Sequence, residues 1–454
     1  MAAPAVLARA AATNRPPNLL FVMADDQRWN TLGCMGNPII QTPTVDRLAR
    51  NGTVFENAFV TTSICCVSRA SVFTGLYERC HGIHDFATPI QAEDRPNTYY
   101  NLLREAGYRT GFIGKYGVGN QMPEQDFDYW RGFPGQGKYE VKRNGKVEHL
   151  TTIMSEQALE FVDSVEASKP FCLSISPKSP HADDPEPRQY IPEPDLAGLY
   201  KDAKIPRPPL SEAEYFDRLP DFLKNTEMHK RWGWRFTSEE QFQTMVKNYY
   251  RLITGVDRML GRLLERLNAR GLADNTVVIY TSDNGYFLGE RGWADKWMMY
   301  EPSIRIPLVV WDGRRANAKP QRRREMALNI DHAPTLLDYA GVKAPVHVQG
   351  RSVRPLAENR KWVQRRDFFY EHHFETKNAV IPPSEGIRSE QWKYIRYLKQ
   401  DPVYEELYNL RRDPNEKENL IGSNREEAAR MRDRWSTWHS ALDGWKRGET
   451  WREP

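Results

Sequence analysis

Two pairs of oxygen-bearing side chains follow two strongly apolar runs of the sequence. Asp25-Asp26 closes the run Asn18–Met23, and Asp283-Asn284 follows the run Asn275–Thr281. Such runs are typical of strands buried on both faces, and open α/β sheets bind ligands beyond the carboxyl ends of their strands. Clustered carboxylates repel unless a cation neutralises them, and an all-oxygen set suits Ca²⁺ or Mg²⁺. Either pair alone is also compatible with a solvated turn or a helix cap, but together they predict a metal site.

A second candidate for chemistry lies between these pairs, in the segment Ser63–Gly75. The segment is typical of a loop that enters a helix, with Arg69 in the first turns. A helix N-terminus with an arginine makes an anion site, and it also lowers the pKa of a thiol. Cys65 and Cys66 therefore become candidate reactive groups, although adjacent cysteines can also be simple buried apolar residues.

The elements that must position these groups alternate between strands and helices. This alternation predicts an α/β fold with a central, mostly parallel sheet that helices cover on both faces. The long helix is amphipathic, and Tyr249 is one of its predicted core positions. The further predicted strands are 110–114 and 170–175, and the predicted helices are 44–50, 153–165 and 245–267.

Two segments interrupt the alternation. Residues 176–223 are rich in proline and charge and are too long for an ordinary connection, so we expect an insertion near a functional face. Residues 314–324 are strongly basic and are predicted to be a solvated loop. Beyond residue 360 the pattern favours antiparallel strands and a closing helix at 426–442. The predicted organisation is a leader at 1–13, a catalytic α/β domain at 14–360, and a small C-terminal α+β domain at 361–454.

Composition limits the classes of protein that this chain can represent. It has 454 residues, with 64 Lys and Arg against 60 Asp and Glu, which gives a formal charge of +4. This near balance argues against a nucleic-acid binder. The five cysteines are too few for a disulfide scaffold, and no apolar stretch approaches the roughly 20 residues that span a bilayer. We expect a globular protein that binds neither nucleic acid nor membrane.

The first residues of the chain bear on where the protein is localised. Ala2–Ala12 is small and apolar, and Ala8-Arg9-Ala10 fits an A-x-A cleavage site. A charged n-region and a longer apolar core are missing from this segment. We interpret it as the remnant of an export signal, which predicts a periplasmic or secreted protein; a leader without such a role is the alternative.

The order of motifs along the chain resembles the type I, formylglycine-dependent sulfatases of the alkaline-phosphatase-like superfamily. The similarity extends from about Pro17 to Asn419, and it is specific because the motifs occur in one order over most of the chain. The motifs are Phe21–Asp26, Cys65–Gly75, Gly114-Lys115, Pro180-His181, Ser282–Gly285 with Lys296, Leu328–Asp331, Ala333–Leu337, Glu406–Leu410 and Asp413–Glu416.

The resemblance implies a mechanism at Cys65. A maturation enzyme would oxidise Cys65 to formylglycine, whose hydrate carries two hydroxyl groups. One hydroxyl attacks sulfur, displaces the substrate's alcohol and forms a covalent sulfate ester; deprotonation of the other hydroxyl then expels sulfate and regenerates the aldehyde. The implied cofactor is Ca²⁺, and the implied partners are this enzyme and a sulfated carbohydrate substrate. The implied metal ligands are Asp25, Asp26, Cys65, Asp283 and Asn284, and the implied catalytic residues are Cys65, Arg69, Lys115, His181 and Lys296.

The sequence departs from the family pattern at two positions. The family has proline two residues after the modified cysteine, where this chain has Val67. The usual Gly-Lys-Trp-His motif ends here in Gly117, so the histidine that commonly takes the proton of the diol is absent. His181, His81, His84 or a metal-bound water could act as the base instead.

Further residues are candidates for substrate contact. His84 follows the signature helix, Gln136 lies in a glycine-rich loop, and His372 and His373 lie in the C-terminal part of the chain; each also has a structural interpretation. Two other functions use the same motifs: a phosphomonoester or phosphodiester hydrolase, and a non-catalytic protein that binds sulfated glycans. Cysteine at the nucleophile position, rather than serine or threonine, favours sulfate.

Overall fold

The structure is a computed structural model that describes residues 15–184, 187–315, 318–374 and 376–454. The predicted leader at 1–13 and its cleavage site lie outside the described residues.

Nineteen strands are assigned within the described residues. In chain order they are β1 (Asn18–Ala24), β2 (Thr53–Phe55), β3 (Ala58–Phe59), β4 (Arg109–Lys115), β5 (Tyr129–Phe133), β6 (Glu140–Arg143), β7 (Lys146–His149), β8 (Phe171–Ser176), β9 (Thr276–Ser282), β10 (Phe287–Leu288), β11 (Ala294–Asp295), β12 (Arg305–Ile306), β13 (Leu308–Asp312), β14 (Gln321–Arg323), β15 (Ala327–Leu328), β16 (Asp367–His372), β17 (Ser384–Ser389), β18 (Trp392–Tyr397) and β19 (Tyr404–Asn409).

Thirteen α-helices connect and cover these strands within the same described ranges. They are α1 (Pro43–Arg50), α2 (Cys65–Thr74), α3 (Glu78–His81), α4 (Tyr99–Glu105), α5 (Leu150–Ser164), α6 (Ala213–Asp217), α7 (Asp221–Lys224), α8 (Glu227–Arg235), α9 (Glu239–Ala269), α10 (Glu301–Ile304), α11 (His332–Ala340), α12 (Arg354–Ala357) and α13 (Arg425–Asp443).

The main sheet has eight strands in the order β14-β2-β13-β9-β1-β8-β4-β5. Strand β1 lies at its centre and pairs in parallel with both β8 and β9. Strand β13 runs antiparallel to its two neighbours, and the remaining pairings are parallel. The predicted α/β fold with a mostly parallel sheet is therefore confirmed.

Alternate residues of β1 enter two different apolar cores. Leu19 and Phe21 belong to the core that contains residues of α2, α4 and α11. Leu20 and Val22 belong to the core that contains residues of α5 and α9. Because side chains of a strand alternate between faces, helices on both sides bury this strand completely, as its uninterrupted apolar sequence predicts.

The C-terminal part forms a four-stranded antiparallel sheet in the order β16-β17-β18-β19. Helix α13 contacts three of these strands. The sheet also packs against the main part of the chain: the rings of Phe59 and Phe368 stack with centroids 5.3 Å apart. Antiparallel strands and the closing helix were predicted here, and both are present; the exact domain boundary near residue 360 stays a prediction.

The basic segment 314–324 corrects one prediction. Gln321–Arg323 is not a solvated loop but an edge strand of the main sheet, paired in parallel with Thr53–Phe55. Charged side chains are common on edge strands because they discourage further strand pairing. The basic composition therefore led to the prediction of a loop where the structure has an edge strand.

The proline-rich insertion predicted at 176–223 contains the short helix α6 and most of α7. Helix α8, which follows the insertion, packs against β11 near the site described below. Among the described residues, no helix combines the length and apolar character needed to cross a bilayer. All five cysteines are free thiols.

Candidate active site

Strands β1 and β9 bring the two predicted acidic pairs together. Ala24 is in register with Ser282, so both strands end at the same edge of the sheet. The backbone N–H of Asp26 donates to Oδ1 of Asp283 over 2.9 Å. Asp25, Asp26 and Asp283 are fully buried. Residues more than 250 positions apart in sequence thus form one acidic cluster.

Tyr249 fixes the backbone at this edge. Asp26 has a φ of 66°, which is in the left-handed region that non-glycine residues seldom adopt. The hydroxyl of Tyr249 donates to the carbonyl oxygen of Asp26 over 2.7 Å and accepts from the N–H of Arg28 over 2.9 Å. Tyr249 is buried as predicted, but its hydroxyl also stabilises the conformation that points Asp26 into the cluster.

Cys65 is the first residue of helix α2, and its thiol lies against the acidic cluster. The Sγ atom is 3.5 Å from Oδ1 of Asp25 and 3.9 Å from Oδ1 of Asp26. Nδ2 of Asn284 lies 3.7 Å from the same sulfur. No side chain caps the N-terminus of α2, so its first backbone N–H groups remain directed toward this region.

Arg69 lies one turn along α2 and links the helix to both strand ends. Its Nε donates to Oδ2 of Asp283 over 2.8 Å, and Nη2 lies 3.6 Å from Oδ2 of Asp25. Its Nη1 donates to the carbonyl oxygen of Lys115 over 2.7 Å. The buried guanidinium therefore holds two carboxylates and the end of β4 in a fixed arrangement.

Lys115 enters the site from the end of β4. Its Nζ donates to Oδ2 of Asp25 and to Oε1 of Gln136, each over 2.7 Å. The preceding Gly114 has a φ of 102°, and a Cβ there would lie 2.1 Å from the carbonyl oxygen of Ser176. Glycine is required at this position because β4 approaches the end of β8 so closely.

Lys296 and His181 approach Asp26 from two other loops. The ammonium of Lys296 forms a very short contact with Oδ2 of Asp26. Nε2 of His181 lies 3.5 Å from the same oxygen. Nδ1 of His181 donates to the carbonyl oxygen of Ala182 over 2.6 Å, so in the neutral ring the lone pair is on Nε2 and faces the site.

Burial and mutual charge set the protonation of these groups. Burial opposes ionisation of Asp25, but the charge of Lys115 and its neighbours brings the pKa of that carboxyl below its usual value. Burial raises the pKa of Asp26 to about 8, against the attraction of Lys296. Burial also raises the pKa of the Cys65 thiol, so the unmodified thiol stays protonated and is a weak nucleophile.

The donor set fits a hard divalent cation. Asp25, Asp26 and Asp283 supply carboxylate oxygens, and the buried Oδ1 of Asn284 has no hydrogen-bond partner among the described residues. An unpaired buried amide oxygen is costly unless a ligand satisfies it. Oxygen ligands of this kind suit Ca²⁺ or Mg²⁺ rather than zinc.

Sequence comparison places this arrangement in a known family. The Sulfatase family model matches residues 17–342, which is more than half of the chain. The chain belongs to the Sulfatase family. It is therefore classed among the sulfuric ester hydrolases. A second family model, described as the C-terminal part of N-sulphoglucosamine sulphohydrolase, matches residues 289–437.

Two relatives of this sulfatase are named for sulfated N-acetylglucosamine. It is 28% identical to the N-acetylglucosamine-6-O-sulfatase of Bacteroides thetaiotaomicron, over 89% of this chain and 83% of the relative. It is also 28% identical to the human N-acetylglucosamine-6-sulfatase, over 90% of this chain and 82% of the relative.

Solved structures share its fold. One, a complex of a protein with its substrate D-glucosamine-2-N,6-O-disulfate, has a TM-score of 0.81 and 27% identity, and the match covers 96% of this chain and all of that one. The phosphonate monoester hydrolase of Agrobacterium radiobacter has a TM-score of 0.76 at 21% identity, over 94% and 95% of the two chains, and shows the fold alone.

The two departures from the family pattern occupy different surroundings in this sulfatase. Val67 is fully buried and belongs to the apolar core on the α2 side of the sheet. Gly117 has a φ of 75°, and a Cβ there would lie 2.8 Å from Cδ of Arg69. The Arg69 side chain therefore occupies the space that a side chain at position 117 would enter, and no histidine fits without displacing it.

The histidines considered as substrate contacts form a neighbouring cluster instead. Nδ1 of His84 lies 2.8 Å from Glu78, and Nε2 of His373 lies 3.1 Å from Glu385. Among the described residues, neither they nor the fully buried His372 forms a hydrogen bond or ion pair with the residues around Cys65. Nε2 of His81 lies 3.2 Å from Oγ of Ser71, so His81 bonds to a residue of α2 itself. Of the four substrate candidates, Gln136 alone contacts the cluster.

Sequence reasoning missed three charged residues beside Lys296. Asp295 precedes it in the chain, and Arg231 and Arg235 reach Asp295 from helix α8. Two charged side chains in a segment of many charges give no sequence indication that they meet a residue about 60 positions later. The insertion predicted at 176–223, expected near a functional face, ends just before α8 and did not include these arginines.

Proposed function

We propose that this sulfatase removes a sulfate ester from a glucosamine unit of a sulfated carbohydrate, with 6-O-sulfate as the first candidate. The observation that carries the proposal is the position of Cys65, whose Sγ lies within 4 Å of two aspartates. Arg69, Lys115 and Lys296 surround the same point. The names of the amino-sugar relatives support the choice of sugar.

The cationic side chains would supply most of the stabilisation of the transition state. Sulfate transfer gathers negative charge on the oxygens around sulfur, and fixed cations in a buried site stabilise such charge strongly. Lys115 and Lys296 are buried and each contacts a different aspartate, so two ammonium groups flank Cys65 from opposite loops. Arg69 is held by Asp283 and would maintain its position during the reaction.

His181 is suited to exchange a proton at a reacting oxygen. Burial lowers the pKa of its imidazole well below the usual value, so the ring is neutral and Nε2 can accept a proton. Its Nδ1–H bond to Ala182 fixes the ring orientation. Since position 117 carries no side chain, His181 is our candidate for the base that the usual motif supplies.

A Ca²⁺ ion and a formylglycine at position 65 complete the proposal. Asp25, Asp26, Asp283 and Asn284 would hold the ion, which supplies positive charge next to the reacting group. Formylglycine supplies, when hydrated, a hydroxyl nucleophile that the protonated thiol cannot replace. The maturation enzyme would have to accept Val67 in place of proline.

Two measurements test the proposal. Mass spectrometry of the peptide that contains Cys65, from protein made in its native host, should show the mass of the aldehyde. The protein should then hydrolyse an aryl sulfate faster than an aryl phosphate, and a calcium chelator should abolish the activity. Cys65→Ala, which leaves the surrounding charges in place, is the matched control without turnover.

Each adverse result has a distinct meaning. An unmodified thiol in protein from the native host, with binding but no turnover of sulfated glucosamine, would show that the protein binds glycans without catalysis. Faster turnover of the phosphate would indicate a phosphoester hydrolase. Equal turnover of 6-O-sulfated glucosamine and a sulfated sugar without the amino group would contradict the proposed sugar.

We also propose that the protein is exported, on the basis of the A-x-A site in the first residues. Fractionation of the native host should find the protein in the periplasm or medium, with its N-terminus after Ala10. A cytoplasmic protein that retains Met1 would contradict this proposal.

A further inference from the structure

Lys296 lies between two residues with unusual backbone conformations. Asp295 has a φ of 80° and Trp297 has a φ of 84°. Left-handed conformations cost free energy in non-glycine residues, and they persist where surrounding contacts enforce them. All three residues are buried. Contacts on both sides of Lys296 must therefore hold this short segment in place.

Asp295 connects Lys296 to helix α8. Oδ1 of Asp295 lies 3.3 Å from Nζ of Lys296. Oδ2 accepts a hydrogen bond from Nη1 of Arg231 and another from Nη1 of Arg235, each over 2.7 Å. The carboxylate thus has one oxygen toward the site and the other bound by two guanidinium groups.

Arg231 contacts both neighbours of Lys296. Besides its bond to Asp295, its guanidinium lies over the ring of Trp297, with its carbon 5.0 Å from the ring centroid. Arg235 is fully buried and also donates to Oδ1 of Asp184 over 2.5 Å. Both arginines belong to helix α8, so this helix restrains the segment that carries Lys296.

The charges of these groups decide where the ammonium of Lys296 can lie. Asp26 and Asp295 compete for it from two sides. Although they also pair with Asp184 and Glu227, the two arginines on its outer oxygen offset the charge of Asp295 and weaken its attraction for Lys296. Without them, an uncompensated buried carboxylate next to Lys296 would bind the ammonium strongly and draw it away from Asp26 and the reacting group.

We infer that Arg231 and Arg235 are positioning residues that act through Asp295 to hold the Lys296 ammonium at the Cys65 side of the site. The inference rests on the proposed function, because it assigns a catalytic role to Lys296. It goes beyond the family resemblance, since both arginines lie in helix α8 and neither belongs to a sulfatase motif named above.

The test compares Arg231→Gln, Arg231→Lys and the control Arg218→Gln in the calcium-loaded protein with formylglycine at position 65. Arg218 lies in the insertion that precedes α8 and pairs with Glu214 at the surface. Because a misplacement of 1 Å at a catalytic group can cost about 10²-fold in rate, Arg231→Gln should lower kcat for an aryl sulfate by roughly 10–10²-fold. Arg231→Lys should recover part of this loss, and the control should stay within about twofold of the parent.

A crystal structure of each variant supplies a readout that does not depend on turnover. In Arg231→Gln the Lys296 ammonium should move from Asp26 toward Asp295, while the rest of the sheet superposes on the parent. Arg235 is buried, and Arg235→Gln therefore risks misfolding; the partly exposed Arg231 keeps the test available in a folded protein.

The outcomes separate this inference from the proposed function. If the parent protein does not hydrolyse sulfate esters, the proposed function fails, but the position of Lys296 in the variant crystals still decides the inference. An Arg231→Gln protein with the parent kcat, or with Lys296 unmoved, would overturn it. A loss confined to melting temperature, with kcat per folded molecule unchanged, would also overturn it by showing a purely structural role.

Discussion

Two buried charge networks in this sulfatase differ in how completely they are paired. In the network near the C-terminal sheet, Nζ of Lys393 lies 2.5 Å from Glu416 and 2.9 Å from Glu301. Arg388 forms a second ion pair with Glu301. Every carboxylate oxygen there has a partner. Around Cys65, by contrast, the buried Oδ1 of Asn284 lacks a hydrogen-bond partner among the described residues.

The difference is the one expected between a network that holds the fold and one that is suited to hold a ligand. Buried charges that are fully paired with each other require nothing further, and removal of one partner leaves an uncompensated charge. An unsatisfied buried oxygen and the left-handed backbone of Asp26 both raise the free energy of the native state, and a bound cation can offset that cost. The following substitutions perturb one network or the other.

The largest effect is expected from Asp283→Asn. The variant keeps an oxygen that can accept from the N–H of Asp26, but it loses the charge that serves both the cation and Arg69. Calorimetry should detect no Ca²⁺ binding, and turnover of an aryl sulfate should fall by at least about 10²–10³-fold. Circular dichroism should show an intact fold. Calcium-dependent turnover near the parent rate would refute the assignment of the metal site.

Lys393→Met tests the fully paired network. Removing the one ammonium between Glu301 and Glu416 leaves two buried carboxylates in repulsion, so the free energy of unfolding should fall by about 3–5 kcal/mol. Denaturant unfolding measures this loss. The rate per folded molecule should match the parent, because no residue of this network contacts Cys65; a selective loss of kcat would contradict the separation of the two networks.

Arg69→Ala is expected to act mainly on the transition state. The guanidinium is held by Asp283 and lies one helical turn from Cys65, so its loss should raise the activation free energy by about 2.7–4 kcal/mol, as for one oxyanion donor. The ratio of kcat/KM values gives this number. Arg388→Gln, a buried arginine of the other network, is the control, and it should reduce stability without this kinetic loss.

The smallest expected effect is a pH-dependent change in stability at Glu406, at the edge of the paired network. Burial raises the pKa of Glu406 to about 7, and Tyr300 donates to its carboxyl over 2.6 Å. The native state therefore binds a proton that the unfolded chain releases at lower pH, so the stabilisation from this proton is lost as pH rises through 7. Glu406→Gln cannot ionise and should gain stability over the parent between pH 5 and 8, by up to about 3 kcal/mol.

Thermal unfolding at the two pH values measures this gain. The exposed Glu426→Gln on α13 is the matched control and should show no pH-dependent difference from the parent. A constant difference between Glu406→Gln and the parent at both pH values would show that Glu406 does not titrate in this range.

The sequence predicted those parts of the site that depend on local pattern. Buried apolar strands with oxygen ligands at their ends indicated Asp25 and Asp283, and parallel pairing explains why they meet. The main elements were predicted for the same reason, since β1, β9 and α9 have strong periodicity. The catalytic roles proposed for Lys115 and Lys296 rest on the resemblance alone, because a single lysine after a short strand has no distinctive pattern.

The remaining features depend on tertiary contacts that no local pattern records. The arginines of α8 meet Asp295 only after helix α8 packs against β11. Tyr249 has the spacing of a core residue, and its hydroxyl bond to Asp26 is visible only in three dimensions. The edge strand Gln321–Arg323 was missed because its basic side chains contradict the usual composition of strands.

The burial of helix α2 also bears on when the protein can be matured. All ten residues of Cys65–Thr74 are buried, and the Cys65 side chain is 1% exposed. An oxidising enzyme cannot bind a peptide that is wound into a helix and enclosed on every side. The proposed conversion of Cys65 would therefore have to precede the packing of this helix, and a chain that folded before it would keep the unmodified thiol.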